Sequence, residues 1–235
     1  MKALAIDTSN QTLGVALVEE GQVIGEYMTN LKKNHSIRLM PAVQRLLEDC
    51  ETEPSELSKI IVAKGPGSYT GVRIGVTVAK TLAWSLSIPL IGVSSLAVLA
   101  GAGRYFDGYV CPLFDARRGL VYTGLYRWER GELRTVEEDT NIPAAEWAQV
   151  LKTKDDKVLF VGNDIPIHEA VFVEVLKEKA YFAALSERNP RPGELGIMGL
   201  SLPEEDIHSF TPNYIRLVEA EAKWLEQQKQ NQDGK

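Results

Sequence analysis

Two short apolar runs in this chain each end in an aspartate, Ala3 to Ile6 before Asp7 and Tyr109 to Phe114 before Asp115. The pattern after the first recurs after the second. Residues 13 to 18 and 22 to 28 read as strands around a Glu20-Gly21 turn, and Leu120 to Trp128 and Glu132 to Val136 read as strands around Glu129-Arg130-Gly131. Apolar runs joined by a short glycine-containing turn predict hairpins. Lys59 to Ala63 before Gly65 is echoed by Lys157 to Val161 before Gly162, and a helical pattern comes after each. Many α/β domains alternate strands and helices. Here three features recur in one order, so the reading is an internal duplication: strand-Asp, hairpin, helix, strand-Gly, helix.

Two such copies facing one another are the architecture of the actin-like (ASKHA, ribonuclease H-like) fold. The predicted fold class is therefore α/β, a duplicated fold of two lobes, each a mixed sheet with flanking helices. The expected division is an N-terminal lobe over 1–103, a C-terminal lobe over 104–220 and a helical or frayed polar tail over 221–235. Within the tail region, Ala220 to Gln228 is helical by composition. A chain of 235 residues suits two small lobes.

With 44% hydrophobic and 25% charged residues the composition is globular, and no apolar stretch approaches the ~20 residues of a membrane helix. Asp7 interrupts the N-terminal apolar run too early for a signal peptide, so a cytoplasmic protein is expected. Cys50 and Cys111 lack CxxC spacing and read as buried, reduced thiols. A net charge of -6 argues against this chain alone holding a polyanion. The pairs Lys32-Lys33 and Arg117-Arg118 are too short to change that and read as solvated surface.

The segment Gly65-Pro66-Gly67-Ser68-Tyr69-Thr70-Gly71-Val72-Arg73-Ile74-Gly75 comes directly after a strand, yet it lacks the Gly-Lys-Ser/Thr ending of a Walker A loop and the GxGxxG dinucleotide spacing. It predicts a tight turn and a helix from Tyr69 to Leu86 with Ser68 as N-cap. Gly71, Gly75 and Ala79 recur at i, i+4 and i+8 in that helix. Glycine there costs ~1 kcal/mol relative to alanine, which implies that something approaches the helix closely, either this chain's own core or a partner helix. An amphipathic helix is predicted from Ser36 to Cys50, with Ile37, Leu39, Met40, Val43, Leu46 and Leu47 on its apolar side. Leu195 to Leu202 reads as a short helix.

In the actin-like fold a strand-end aspartate offers a carboxylate for magnesium, and neighbouring hydroxyls and amides hold phosphate. Asp7, Ser9, Gly65, Gly67, Ser68 and Asp115 are the candidates for a vestigial phosphate site, with simple backbone satisfaction at a strand end as the alternative. His35 has Leu39 where a helical metal pair needs a second histidine, and His168-Glu169 has Phe172 at the corresponding position. Neither a metal site nor a catalytic residue is assigned.

Ala5-Ile6-Asp7-Thr8-Ser9, His35-Ser36-Ile37-Arg38-Leu39-Met40-Pro41, the run from Gly65 to Gly75, Asp115-Ala116-Arg117-Arg118 and Pro212-Asn213-Tyr214-Ile215-Arg216 occur in order along the chain. Together they resemble the bacterial TsaB (YeaZ) family of tRNA threonylcarbamoyladenosine biosynthesis proteins. The resemblance implies a non-catalytic subunit that forms a heterodimer with a larger paralogue, TsaD, joined by the ATPase TsaE. TsaD carries the HxxxH metal site and transfers threonylcarbamoyl to N6 of the adenosine beside the anticodon in tRNAs reading codons that begin with A. ATP or ADP and metal are then expected in the partner subunits, none tightly bound by this chain, with tRNA reached through the complex. Self-association of the isolated chain through the same surface is also implied. That surface belongs to the first two long helices, which places the expected interface at Leu39, Val43, Leu46, Gly71, Val72, Gly75, Val76 and Ala79. Two alternatives stay open, a metal-dependent glycopeptidase-like enzyme and an independent actin-like ATPase or kinase.

Overall fold

The structure is a computed structural model that describes residues 1–31 and 34–215. Lys32-Lys33, Arg216, the predicted helix at 220 to 228 and the tail over 221–235 lie outside the described residues. The first half contains Lys2–Asp7 (β1), Leu13–Glu19 (β2), Gln22–Thr29 (β3), Leu39–Asp49 (α1), Leu57–Ala63 (β4), Tyr69–Leu86 (α2), Leu90–Val93 (β5) and Ser95–Ala100 (α3). In the second half come Tyr109–Asp115 (β6), Leu120–Glu129 (β7), Glu132–Pro143 (β8), Ala144–Lys152 (α4), Val158–Val161 (β9), Ile165–Leu176 (α5), Ala180–Phe182 (β10) and Pro192–Gly199 (α6).

The strands form two five-stranded sheets of the same order, β3-β2-β1-β4-β5 and β8-β7-β6-β9-β10. β1 runs antiparallel to β2 and parallel to β4, and β6 does the same with β7 and β9. Both outer hairpins turn on a left-handed pair, Glu20-Gly21 at φ 50° and 81° and Arg130-Gly131 at 52° and 84°. Two-residue hairpin loops need that backbone to match strand twist. The duplication read from the two aspartates is thus a duplication of topology, and the fold is actin-like.

β1 is buried on both faces and uses them differently. Leu4 and Ile6 pack with α1 and α2 residues such as Leu39, Val43 and Val76, while Ala3 and Ala5 pack with Leu195 of α6. The small alanines let α6 lie close, and α6 answers with glycines: a Cβ on Gly196 would sit 2.4 Å from Val18 Cγ2, and one on Gly199 2.4 Å from Ile61 Cγ2. α6 comes from the second half of the chain. Reciprocally, Leu96, Leu99 and Ala100 of α3 pack with Val110, Phe114 and Tyr126 of the second sheet. α4 and α5 cover that sheet's other face through Trp147, Leu151 and Phe172, the last stacked on Phe160 at 4.3 Å between centroids. Each lobe therefore lends one helix to its neighbour.

Local expectations differ from the structure where packing or polarity decides. Strand β8 continues to Pro143, beyond the expected Val136, because the polar residues 137 to 141 interrupt the apolar signal yet the strand still pairs with β7. The short helix starts at Pro192, three residues before Leu195, with proline at its first position, where it is tolerated. His35 to Ile37 form a separate 3-10 turn capped by Asn34, so α1 begins at Leu39 rather than Ser36. Cys111 is buried and its thiol pKa is pushed up to about 11 by that burial, whereas Cys50 is only half-buried. Among the described residues no helix is long and apolar enough to cross a membrane.

Candidate functional site

Because β1 and β6 occupy equivalent places, the connections after Asp7 and Asp115 meet across a cleft of about 620 Å³. Of the six phosphate-site candidates, Ser9, Gly67, Ser68 and Asp115 line it. The other two lie behind its wall. Asp7 is 1% exposed, its Oδ1 accepts from the Ser9 N–H at 2.8 Å, and its Oδ2 has no partner among the described residues. Burial raises the Asp7 pKa, against the lowering hydrogen bond from the Ser9 N–H. Gly65 sits at φ 97°, donates to Ser95 Oγ at 3.1 Å, and leaves 3.1 Å between a notional Cβ and the Asn213 carbonyl. Its glycine serves close backbone approach.

Gly67 has the same need. A Cβ there would lie 2.1 Å from the Ser9 carbonyl, to which the Ser68 N–H donates at 2.6 Å. Ser68 caps α2 as expected, its Oγ accepting from the Gly71 N–H at 3.4 Å. Across the cleft, Asp115 Oδ1 is paired with His168 Nε2 at 2.9 Å, and the Asp115 N–H donates to Asp164 Oδ2 at 2.9 Å. The Asp164 pKa is raised, burial being the largest cause. The strand-end carboxylates expected for magnesium are thus either turned inward (Asp7) or engaged by histidine (Asp115).

Arg117 and Arg118, read from sequence as plain surface, are exposed but line the cleft beside Tyr122 and Asp164. They adopt φ 66° and 56° and are followed by Gly119 at 76°. Sequence reasoning missed all four of these residues as site members. The signal was available in the duplication, which sets Asp115-Ala116-Arg117-Arg118 against Asp7-Thr8-Ser9-Asn10.

The expected interface is corrected by the structure. Leu39, Val43, Leu46, Gly71, Val72, Gly75, Val76 and Ala79 are all buried inside the chain itself. A Cβ on Gly71 would lie 2.2 Å from the Thr8 carbonyl and one on Gly75 2.5 Å from Thr8 Oγ1, so the smooth stripe of α2 faces this chain's own β1 end. The outward residues of the two helices are others. Ile37, just ahead of α1, is 71% exposed and Trp84 of α2 66%, with Met40, Tyr69 and Thr77 also exposed. An apolar groove of about 530 Å³ between α1 and α2 is lined by Met40, Leu47, Leu57, Leu82 and Leu86 among others.

The histidines take separate partners: His35 Nε2 lies 2.9 Å from the Asn10 carbonyl oxygen, and the His208 N–H donates to Asp206. Among the described residues no three His, Cys, Asp or Glu side chains converge as metal ligands.

A protein from Bacillus subtilis, the tRNA threonylcarbamoyladenosine biosynthesis protein TsaB, is 57% identical over 97% of this chain and 100% of its own length. The chain belongs to the TsaB family. The Escherichia coli protein of the same description is 35% identical over 59% of this chain and 60% of its own. YeaZ from Pseudomonas aeruginosa superposes with a TM-score of 0.77 at 28% identity, covering 91% of this chain and 99% of that one. A family model described as TsaD, tRNA N6-adenosine threonylcarbamoyltransferase, matches residues 22–224 of this chain. The interlobe cleft and the α1–α2 face are thus features of a TsaB-family chain.

Proposed function

We propose that this chain is a non-catalytic, activating subunit in tRNA threonylcarbamoyladenosine formation, which docks through α1 and α2 onto the metal-dependent transferase TsaD and works with the ATPase TsaE. The observation that carries the reading is the outward face of those helices. An open groove between the two helices is lined by Met40, Leu47, Leu82 and Leu86, and elsewhere on the same segments Ile37 and Trp84 are each more than 60% exposed. Exposed apolar surface of this kind marks protein association, and tryptophan is enriched among the residues that dominate binding energy. Leu39 supports the division of labour. It is fully buried in the core one turn after His35, so this helix packs with the position that a metal pair would use. Nucleotide and metal then belong to the partner subunits, and tRNA is reached through the assembled complex. The α1–α2 face also accounts for self-association of the isolated chain, since a second copy can cover it when the transferase is absent.

Mixing the purified chain with its TsaD paralogue and measuring mass by light scattering tests the docking. A one-to-one complex is expected, and threonylcarbamoyl transfer to tRNA should depend on adding this chain. Two separate masses at tens of micromolar protein would sink the reading.

A further inference from the structure

We propose that the interlobe cleft is the receiving site for this chain's own C-terminal segment, which lies across the β6–β7 connection with Glu219 and Glu221 paired to Arg117 and Arg118. The last described residues already sit at the rim of that cleft. Tyr214 and Ile215 line a small cavity together with Gly67, Tyr69 and Tyr122, and these last three also line the cleft. The approach is fixed at two points: the Tyr214 ring lies 5.4 Å from the Tyr69 ring between centroids, and the Asn213 N–H donates to the Lys64 carbonyl at 2.7 Å. Ile215 therefore delivers the chain to the cleft. The six residues 216 to 221 span up to ~20 Å when extended, which brings the wall beyond Tyr122 within reach.

Charge and polarity suit that destination. Leu217-Val218-Glu219-Ala220-Glu221-Ala222 holds two carboxylates and no basic group. In the cleft itself, the Asp115 carboxylate is engaged by His168 Nε2 at 2.9 Å and the Asp164 carboxylate by the Asp115 N–H at 2.9 Å. Arg117 and Arg118 are the exposed charges on its wall. Guanidinium and carboxylate groups match in charge and in bidentate geometry, so two adjacent arginines on one short connection suit two closely spaced glutamates. Leu217 and Val218 bring apolar surface to a cleft whose lining includes Tyr69, Phe114 and Tyr122.

The floor supplies an independent indication. Ser9 lines the cleft and is fully buried, and its Oγ has no hydrogen-bond partner among the described residues. Nδ2 of Asn10, also a cleft residue, is buried in the same condition. Both groups donate hydrogen bonds, and buried donors left without acceptors are rare in folded proteins. Backbone carbonyls and carboxylates of a segment laid over them supply those acceptors. A cleft filled from within the chain also accords with leaving the nucleotide to the partner subunits, and neither Ile37 nor Trp84 takes part in the contact.

Hydrogen–deuterium exchange read by mass spectrometry on the isolated full chain tests this independently of docking to any partner. The amides of residues 217 to 222 are expected to exchange at least tenfold more slowly than in a free peptide of the same sequence. That protection should be lost in R117E/R118E and in E219K/E221K, and should return in the fourfold variant that exchanges the two signs. If R117E/R118E proves unfolded by circular dichroism, E219K/E221K alone decides. Unprotected amides in the native chain overturn the proposal, as does protection that survives either reversal or fails to return in a folded fourfold variant. Protection that rises with protein concentration assigns the segment to the cleft of a second copy and overturns the intrachain contact.

Discussion

Gly71 and Gly75 show how far a single side chain can be read from its neighbours. Thr8 reaches α2 by donating from Oγ1 to the Gly71 carbonyl at 2.7 Å, and its own atoms occupy the space a Cβ would take at either glycine. Alanine gains ~1 kcal/mol of helix propensity. Overpacking costs typically ~1–3 kcal/mol, and here the obstacle at Gly71 is backbone. G71A and G75A are therefore expected to lose about 1–2 kcal/mol of stability in urea unfolding; a gain would show that α2 can back away from β1. Asp139 is a second telling residue. Its carboxylate accepts from Ser94 Oγ and Tyr126 Oη, and burial, the largest cause, raises its pKa. A carboxyl group whose native pKa is raised stabilises the fold most below its unfolded value, about 3.9. That contribution is lost as pH rises through the higher native value. The stability of the native chain minus that of D139N should fall across this window. Urea titrations at a series of pH values check it, and a flat difference would refute the assignment.

Among the elements, α2 serves three masters, and its faces can be tested separately. Its inner stripe packs on β1, its first turn borders the cleft, and its outer face carries Trp84. Trp84→Glu and Ile37→Glu should each weaken association with the TsaD paralogue at least tenfold and leave the melting temperature unchanged, because neither side chain belongs to the core. A drop in melting temperature without loss of association would reverse that reading. The helix also anchors the segment C-terminal to α6. The Arg73 guanidinium lies 4.0 Å over the Tyr69 ring and its Nε donates to Tyr214 Oη at 2.7 Å. Nearby, the Asn213 N–H donates to the Lys64 carbonyl at 2.7 Å and Lys80 Nζ to the Phe210 carbonyl at 2.8 Å. The glycine run and the Pro212-Asn213-Tyr214 segment, far apart in sequence, are thus one contact. Arg73→Ala should speed hydrogen exchange at the Asn213 amide at least tenfold without changing β1 amides. Equal protection in both chains would mean that the backbone bonds alone hold the segment.

At the scale of the whole molecule, the exchange of α3 and α6 makes each sheet depend on the other half of the chain. A single cooperative unfolding transition is expected by calorimetry, and a fragment of residues 1–103 should not fold alone, because α6 covers the Ala3, Ala5 and Ile61 face of its sheet. Two resolved transitions, or a folded fragment, would contradict this. None of that exchange is legible in the sequence. The paired aspartates, the Glu20-Gly21 turn, the Ser68 cap and the span of α2 are, because periodicity, turn chemistry and capping act between residues a few positions apart. The glycines of α2 announce a close neighbour, but an apolar helix surface does not say whether that neighbour is a partner or the chain's own Thr8. The pair Arg117-Arg118 looks like any exposed basic pair until the β6–β7 connection is set opposite Ser9 and Ser68. By itself the sequence determined the repeated order of strand-Asp, hairpin, helix, strand-Gly and helix, and the family. Tertiary structure alone decided which faces are core, which helix covers which sheet and which side chains share the cleft, since each of these is a contact between segments that only the folded chain brings together.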